Sequence, residues 1–230
     1  MIGIIGAMEQ EVSQVVKAMT DINSTKIAGM VFNSGKLCGK DVIVVKSGIG
    51  KVNAAVCTQI LATEFHVDTV INTGIAGSLK AEINIGDIVL STDALQHDVD
   101  ATNFGYELGM IPGMDVSIFK ASEELIEKAE AACKKENPEL GIFKGRVVSG
   151  DQFISDKATK ERIVNNFHGY CTEMEGAAIA QAAYLNNIPF HIIRAISAKA
   201  DDSASMDYDE LEKKAIANSV KLLTALIGEI

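Results

Sequence analysis

The sequence predicts a single α/β domain with a mixed central β-sheet flanked by helices. Three observations carry that reading. Short Val/Ile-rich runs recur along the chain, helical patterns lie between several of them, and 230 residues at 47% hydrophobic content suffice to bury one ordinary core. No fixed-period repeat, low-complexity tract or linker divides the chain, so residues 1–230 read as one domain.

Residues 2–5 form the first apolar run, short and continuous as a strand buried on both faces should be. Gly6-Ala7-Met8 leads from it into a helical pattern over 9–20, with Glu11 in the opening turn, where the helix dipole favours an acid. Residues 31–39 are polar and precede Lys40-Asp41, which fits a hairpin returning along a strand at 42–46, so some antiparallel pairing is expected. Ser47-Gly48-Ile49-Gly50 then opens a helix over 51–65. Strands at 69–72 and 87–92, a helix at 122–135, a strand at 145–149, helices at 157–166 and 176–186, a strand at 190–195 and a helix at 207–227 complete the alternation. Polar or glycine-rich residues gather where strands end, at 6–11, 47–51, 72–77, 149–153 and 197–198. Ligands of open α/β sheets occupy the crevice beyond the carboxyl ends of the strands, so these five junctions are expected to converge on one site.

Composition narrows the chemistry. A formal net charge of −10 leaves no basic face for a phosphate backbone, which argues against a nucleic-acid partner. Cys38, Cys57, Cys133 and Cys171 show no C-x-x-C spacing and mostly sit among apolar neighbours, as in a reduced, cytoplasmic protein. The N-terminus lacks the basic start and apolar core of a signal peptide, and no apolar run approaches the ~20 residues of a membrane span, so no membrane association is expected. His66, His97, His168 and His191 are scattered without an H-E-x-x-H or similar pair, and no metal is expected. Ser47, Ser149 and Ser197 lie outside any G-x-S-x-G elbow. Gly48-Ile49-Gly50 opens like a dinucleotide fingerprint, but Asn53 stands at the third glycine position and Asp68 precedes the next strand instead of following it. Gly50-Lys51 lacks the upstream glycine and the following Ser/Thr of a P-loop. No cofactor is expected, and acid chemistry remains.

That chemistry concentrates at Thr172-Glu173-Met174-Glu175-Gly176, where two carboxylates stand at the entrance of an Ala-rich helix. On extended chain Glu173 and Glu175 project to the same side, and buried carboxylates need partners such as ligand hydroxyls. Helix capping by the same acids is the simpler alternative. Phe153 and Tyr106, in a chain with only 5% aromatics, lie in loop-like surroundings where a planar base could stack, or where either could pack in a core or interface.

Together these segments resemble the 5′-methylthioadenosine/S-adenosylhomocysteine nucleosidases, a branch of the purine nucleoside phosphorylase and uridine phosphorylase superfamily. The likeness spans essentially the whole chain: Ile2 to Glu9 with Glu11, Ser47-Gly48-Ile49-Gly50-Lys51-Val52, Asn72-Thr73-Gly74 with Ala76-Gly77, and Phe104-Gly105-Tyr106-Glu107. Val148-Ser149-Gly150-Asp151 with Phe153-Ile154, Glu173-Met174-Glu175 and Arg194-Ala195-Ile196-Ser197 continue it. The resemblance implies a nucleoside phosphorylase-like fold and hydrolysis of the N-glycosidic bond between adenine and a 5′-thio-substituted ribose, with no cofactor. It makes Glu11 the general base on water and gives the ribose hydroxyls to Glu175. It packs Met174 on ribose, stacks Phe153 on adenine, and brings backbone groups of Ile154 to the base edge. Ile49, Pro112 and Tyr208 would line the 5′-alkylthio pocket, Arg194 would support the acids, and Ile75, Ala76, Gly77, Glu173 and Ser197 complete the substrate-binding set. Ala101, Phe104 and Tyr106 would reach in from the second subunit of a homodimer.

Two departures from the family pattern stand out. Ile75 occupies a position where the resemblance implies serine, removing a hydroxyl near the water. Ala198 directly follows Arg-Ala-Ile-Ser, where the family carries the aspartate that protonates the leaving adenine. A methyl group transfers no proton, and loss of a general acid typically costs about 10² to 10⁴ in rate. The expectation is a nearly inactive chain that still binds ligand, with Asp201-Asp202 too far along to substitute. A phosphorylase or futalosine-type nucleosidase of the same superfamily, or a non-catalytic nucleoside-binding protein, are the alternatives.

Overall fold

The computed structural model describes residues 1–200 and 208–230, without the side chains of residues 208, 209 and 211. Among the described residues, ten strands and six α-helices follow in the order β1 (Ile2–Gly6), α1 (Glu9–Ala18), β2 (Thr20–Ile27), β3 (Met30–Leu37), β4 (Lys40–Lys46), α2 (Lys51–Thr63), β5 (Thr69–Ser78), β6 (Ile88–Gln96), β7 (Phe119–Lys120), α3 (Glu123–Glu136), β8 (Ile142–Ser149), α4 (Lys157–Phe167), β9 (Cys171–Glu173), α5 (Gly176–Leu185), β10 (Phe190–Ala198) and α6 (Tyr208–Glu229). All strands belong to one mixed sheet, as expected.

Its geometry centres on β5. The first half of this strand pairs in parallel with β1, Ile2 opposite Thr69, while nearly its whole length pairs in parallel with β10, Arg194 opposite Gly74. Beyond β10 the sheet continues through β6 and β8 to β9, which returns antiparallel to the end of β5 at Gly77 and Ser78. Strands β5, β10, β6, β8 and β9 thereby close a ring, and β1, β4, β3 and β2 extend from it as an open sheet. Strands β1, β5 and β10 run in the same direction. Their carboxyl ends consequently meet at one rim.

The sheet is covered on both sides, which explains why the apolar runs do not alternate. Ile5, Ile43, Val45, Val70, Ile192 and Ile196 pack with the apolar residues of α2 and α5. Ile4, Val44, Ile71, Ile193 and Ala195 pack with Val12 and Val15 of α1, Ala129 and Cys133 of α3, and Ile216, Leu223 and Leu226 of α6. Phe32 is fully buried on the first of these faces and stacks on Phe65 with ring centroids 5.0 Å apart.

Several segments differ from the sequence reading. The helix read over 9–20 stops at Ala18, and Thr20–Ile27 forms an edge strand. Its residues are exposed almost throughout, so it carries none of the apolar pattern by which strands announce themselves. The segment read as 31–39 does pair back on β4, Gly35 opposite Val42. Residues 72–77, read as a strand-end junction, continue β5 to Ser78. Gly74 is a glycine of close approach and not of a turn: a Cβ there would lie 2.5 Å from Glu11 Oε1 and also strike the Arg194 guanidinium. The short strands β7 and β9 were not read at all. Asp207, taken as the start of the last helix, and Asp201-Asp202 lie outside the described residues.

Replacing Phe32 with alanine removes a fully buried ring and its partner for Phe65. The Phe32→Ala chain is expected to lose about 3 to 5 kcal/mol of unfolding free energy, read as a lower urea midpoint.

Candidate active site

The five segments expected to meet do converge at the rim where β1, β5 and β10 end, with 72–77 contributing as strand and not as a junction. The cavity there is lined by Ala7, Met8 and Glu11 after β1, Ile49 before α2, Ile75, Ala76 and Gly77 on β5, and Gln152, Phe153 and Ile154 after β8. Thr172, Glu173, Met174 and Glu175 around β9, Ser197 and Ala198 at the end of β10, and Glu212 of α6 complete it.

Each acid is held by backbone. Glu11, third residue of α1, accepts hydrogen bonds from the N–H groups of Ala7 at 2.7 Å and Met8 at 2.9 Å on one oxygen, and from Ile75 at 3.2 Å on the other. The first-turn acid reading is therefore correct, and the same bonds fix the carboxyl at the cavity. Glu173 caps α5, accepting from Glu175 N–H at 3.1 Å and Gly176 N–H at 2.8 Å. It also accepts from the Ser149 hydroxyl, whose oxygen in turn accepts from Ala177 N–H at 2.7 Å. Glu175 precedes α5 and accepts from Gly50 N–H at 2.9 Å. Gly50 has φ of +98°, a conformation that favours glycine and turns its N–H toward this carboxyl.

At the centre lies Arg194, only 1% exposed. Its Nη2 donates to Glu173 and to the Asn72 side-chain oxygen, lies 3.8 Å from Glu175, and its Nη1 reaches the Ile75 carbonyl at 3.4 Å. Burial works against its charge, but Glu173, Glu175 and Glu11 hold the guanidinium above its ordinary value. The carboxyls respond in the opposite sense. Burial pushes Glu11 up from the usual carboxylate range, against Arg194 and its three N–H donors. Burial and the neighbouring Glu173 push Glu175 up to about 7, with Arg194 and Gly50 N–H opposing. Three carboxyls share one cation, and near neutral pH Glu175 retains protons that an isolated glutamate would release.

The sequence-predicted residues divide into groups. Glu11, Ile49, Ile75, Ala76, Gly77, Phe153, Ile154, Glu173, Met174, Glu175, Ser197 and Ala198 line the cavity together, and Arg194 stands behind the acids. Phe153 is 72% exposed at its edge and Ile154 is buried. Pro112 is exposed and does not line the cavity of the single chain. Ala101, Phe104 and Tyr106 also stand apart from it, around a short 3-10 turn at Thr102–Phe104. Phe104 is 84% exposed. The Tyr208 side chain lies outside the described residues. Among the described residues no group of His, Cys, Asp and Glu could hold a metal ion, and no helix is long and apolar enough to cross a membrane.

Two features escaped the sequence reading. Lys51, considered only as a cation for phosphate, pairs instead with Asp98 at 2.7 Å and donates to Gln96 at 2.9 Å. Its N–H donates to Asp151 and the Asp151 N–H donates to Asp98, at 2.8 and 2.9 Å, so the loops that carry Gly50 and Phe153 are clasped together. Glu212 enters the cavity from α6, where no local motif marks it.

Residues 1–228 match the family model of the phosphorylase superfamily. The 5′-methylthioadenosine/S-adenosylhomocysteine nucleosidase of Staphylococcus aureus (strain JH9) is 41% identical over 231 residues, covering all of both chains. The crystal structure of the nucleosidase of that name from Neisseria meningitidis, in complex with methylthio-immucillin-A, superposes with a TM-score of 0.95 at 38% identity, over 100% of this chain and 99% of that one. The structure of futalosine hydrolase from Helicobacter pylori strain 26695 superposes with a TM-score of 0.93 at 33% identity, over 100% and 97%.

Because Glu175 holds its proton up to about pH 7 when folded while a free glutamate releases it near 4.5, the folded chain binds the extra proton between those values. This group's contribution to stability is greatest below about pH 4.5, is lost as pH rises through 7, and stays lost above. Replacing Glu175 with glutamine is expected to gain stability relative to the parent chain over that window. Urea midpoints of both chains from pH 4 to 9 measure it, and a pH-independent difference would contradict the assignment.

Proposed function

The chain belongs to the phosphorylase superfamily, and we propose that its cavity binds adenine 5′-thionucleosides with fittings for hydrolysing their N-glycosidic bond, as in the 5′-methylthioadenosine/S-adenosylhomocysteine nucleosidases. One observation carries the reading: three carboxyls gathered on a single buried arginine, with Glu11 and Glu175 presented to the cavity. Cleavage of a glycosidic bond puts positive charge on the ribose and negative charge on the base, and preorganised negative groups serve the first need.

In this mechanism Glu11 takes a proton from water, whose oxygen bonds to the anomeric carbon. The bond from that carbon to the base nitrogen breaks, and its electron pair leaves with adenine. Burial raises the proton affinity of Glu11, as a general base requires. Glu175 receives the ribose hydroxyls and offsets the oxocarbenium-like charge. Met174 packs on the ribose, Phe153 stacks on adenine and the Ile154 backbone meets the base edge. Ile49, Pro112 and Tyr208 enclose the 5′ substituent. Ala101, Phe104 and Tyr106 complete the neighbouring site in a homodimer, a role that suits the exposure of Phe104.

The departing adenine needs a proton, and Ala198 stands at the cavity where the resemblance implies the acid that gives it. The chain as it stands is therefore a binding-competent nucleosidase scaffold of very low turnover. Phosphorolysis is disfavoured because Lys51 is committed to Asp98 and Arg194 is enclosed by carboxyls, so neither cation is available to phosphate, which Glu11 would also repel. The likeness to futalosine hydrolase favours one second reading, the same chemistry on a different 5′ group.

Adenine release from methylthioadenosine in phosphate-free buffer tests the proposal. The Ala198→Asp chain is expected to exceed the parent by about 10² to 10⁴, the usual contribution of a general acid. Preferential base release from futalosine by that variant would favour the second reading. Binding without release by either chain would leave a nucleoside-binding protein.

A further inference from the structure

The mechanism above uses Glu175 and Phe153 but not the contacts that hold them at one separation. Glu175 accepts from Gly50, at the start of α2, and Phe153 stands in the segment after β8. Both segments are tied to Asp98, two residues beyond the end of β6. Its Oδ1 accepts from the Lys51 ammonium at 2.7 Å and its Oδ2 from the Asp151 N–H at 2.9 Å. Asp151 in turn accepts from the Lys51 N–H at 2.8 Å, so the three residues form a closed ring of hydrogen bonds. Gly50 adjoins Lys51 in the chain, and Phe153 follows Asp151 by two residues.

Asp98 stands on a firm base. His97 beside it is fully buried and donates its N–H to the Ser149 carbonyl at 2.9 Å, and a Cβ at Gly150 would lie 2.6 Å from its Nε2. The Lys51 ammonium is held from a second side by Gln96 Oε1 at 2.9 Å, and the Gln96 amide nitrogen donates to Gln181 of α5. The side chains of Lys51 and Asp98 are 19% and 16% exposed, and among the described residues only the ion pairs of Arg194 are more enclosed. Desolvation offsets the attraction of so enclosed a pair, which makes it a poor source of stability and a good source of fixed geometry. That geometry needs both oxygens of Asp98. A carboxamide offers one acceptor and one donor, so whichever way it turns, a donor faces a donor at one of the two bonds.

We infer that Asp98 is a positioning residue for nucleoside binding: through Lys51 and Asp151 it sets the distance between the Gly50 N–H that holds Glu175 and the ring of Phe153, and so fits the ribose end of the cavity to its base end. The inference rests on the nucleoside-binding reading and deepens it. Asp98 does not itself line the cavity. A ligand that spans both ends depends on that distance being set in advance, while a free base, which engages the Phe153 end alone, does not.

Equilibrium binding by calorimetry, with methylthioadenosine and adenine as the two probes, tests it. Asp98→Asn is expected to weaken methylthioadenosine binding by roughly five- to twentyfold and adenine binding by less than about twofold. Lys51→Met removes the same ion pair from its other side and is expected to lower the ratio of the two affinities in the same sense, which decides the matter if Asp98→Asn does not fold. Asp41→Asn, which breaks the exposed pair with Lys36, leaves the ratio as in the parent chain. A merely structural role for Asp98 would weaken both probes alike. An equal loss for the two probes in the folded variants, or no loss for either, overturns the assignment while leaving nucleoside binding intact. Failure of the parent chain to bind either probe overturns both the assignment and the reading beneath it.

Discussion

A guanidinium buried to 1% exposure cannot stand alone, and the rest of the site follows from what Arg194 requires. Its partners come from distant parts of the chain: Asn72 and the Ile75 carbonyl from β5, Glu173 from β9 and Glu175 from the entrance of α5, with Glu11 of α1 close by. Glu173 also fixes the first peptides of α5 and the Ser149 hydroxyl at the end of β8. The strand ring and the acid cluster consequently share Glu173. Neither the helix start nor the ion pair is separable from the other.

The cluster has a polar floor and apolar walls, and the two perform different work. The floor keeps its charge unbalanced, three carboxyls to one cation, which stores protons near neutrality and leaves the cavity attractive to a developing positive charge. Between them, the Lys51 clasp holds the loops of Gly50 and Phe153 at a fixed separation through Asp98 and Asp151. That clasp commits the Lys51 ammonium to Asp98 and Gln96.

Much of this was legible in the residues. The apolar runs marked β1, β4 and β10, because burial on both faces demands continuous hydrophobic sequence, whereas the arrival of the segment after β8 at the same cavity was not a matter of strand direction, since β8 and β9 run against β5. The edge strand β2 was not legible, since a strand exposed almost throughout has no pattern to read. The second half of β5 was misread because glycine signals a turn by default, and only the packing of Arg194 and Glu11 shows why a strand needs one there. Glu173 and Glu175 were found together by their spacing, although the structure gives them different tasks, one capping a helix and one facing the cavity. Glu212 had no signal, because a single acid on a long helix looks like any solvated position until its helix is seen to border the cavity.

Gly74 carries an evolutionary consequence. A methyl group at that position would occupy the space of Arg194 and Glu11, so glycine, arginine and glutamate form a set in which the glycine cannot gain a side chain without displacing the other two. Residue 198 stands outside the set. It lies at the half-buried end of β10, past a break in register with β5, and its side chain is not among the partners of Arg194. The fold therefore ties residue 74 to the side chains of residues 194 and 11, and leaves residue 198 free of that constraint.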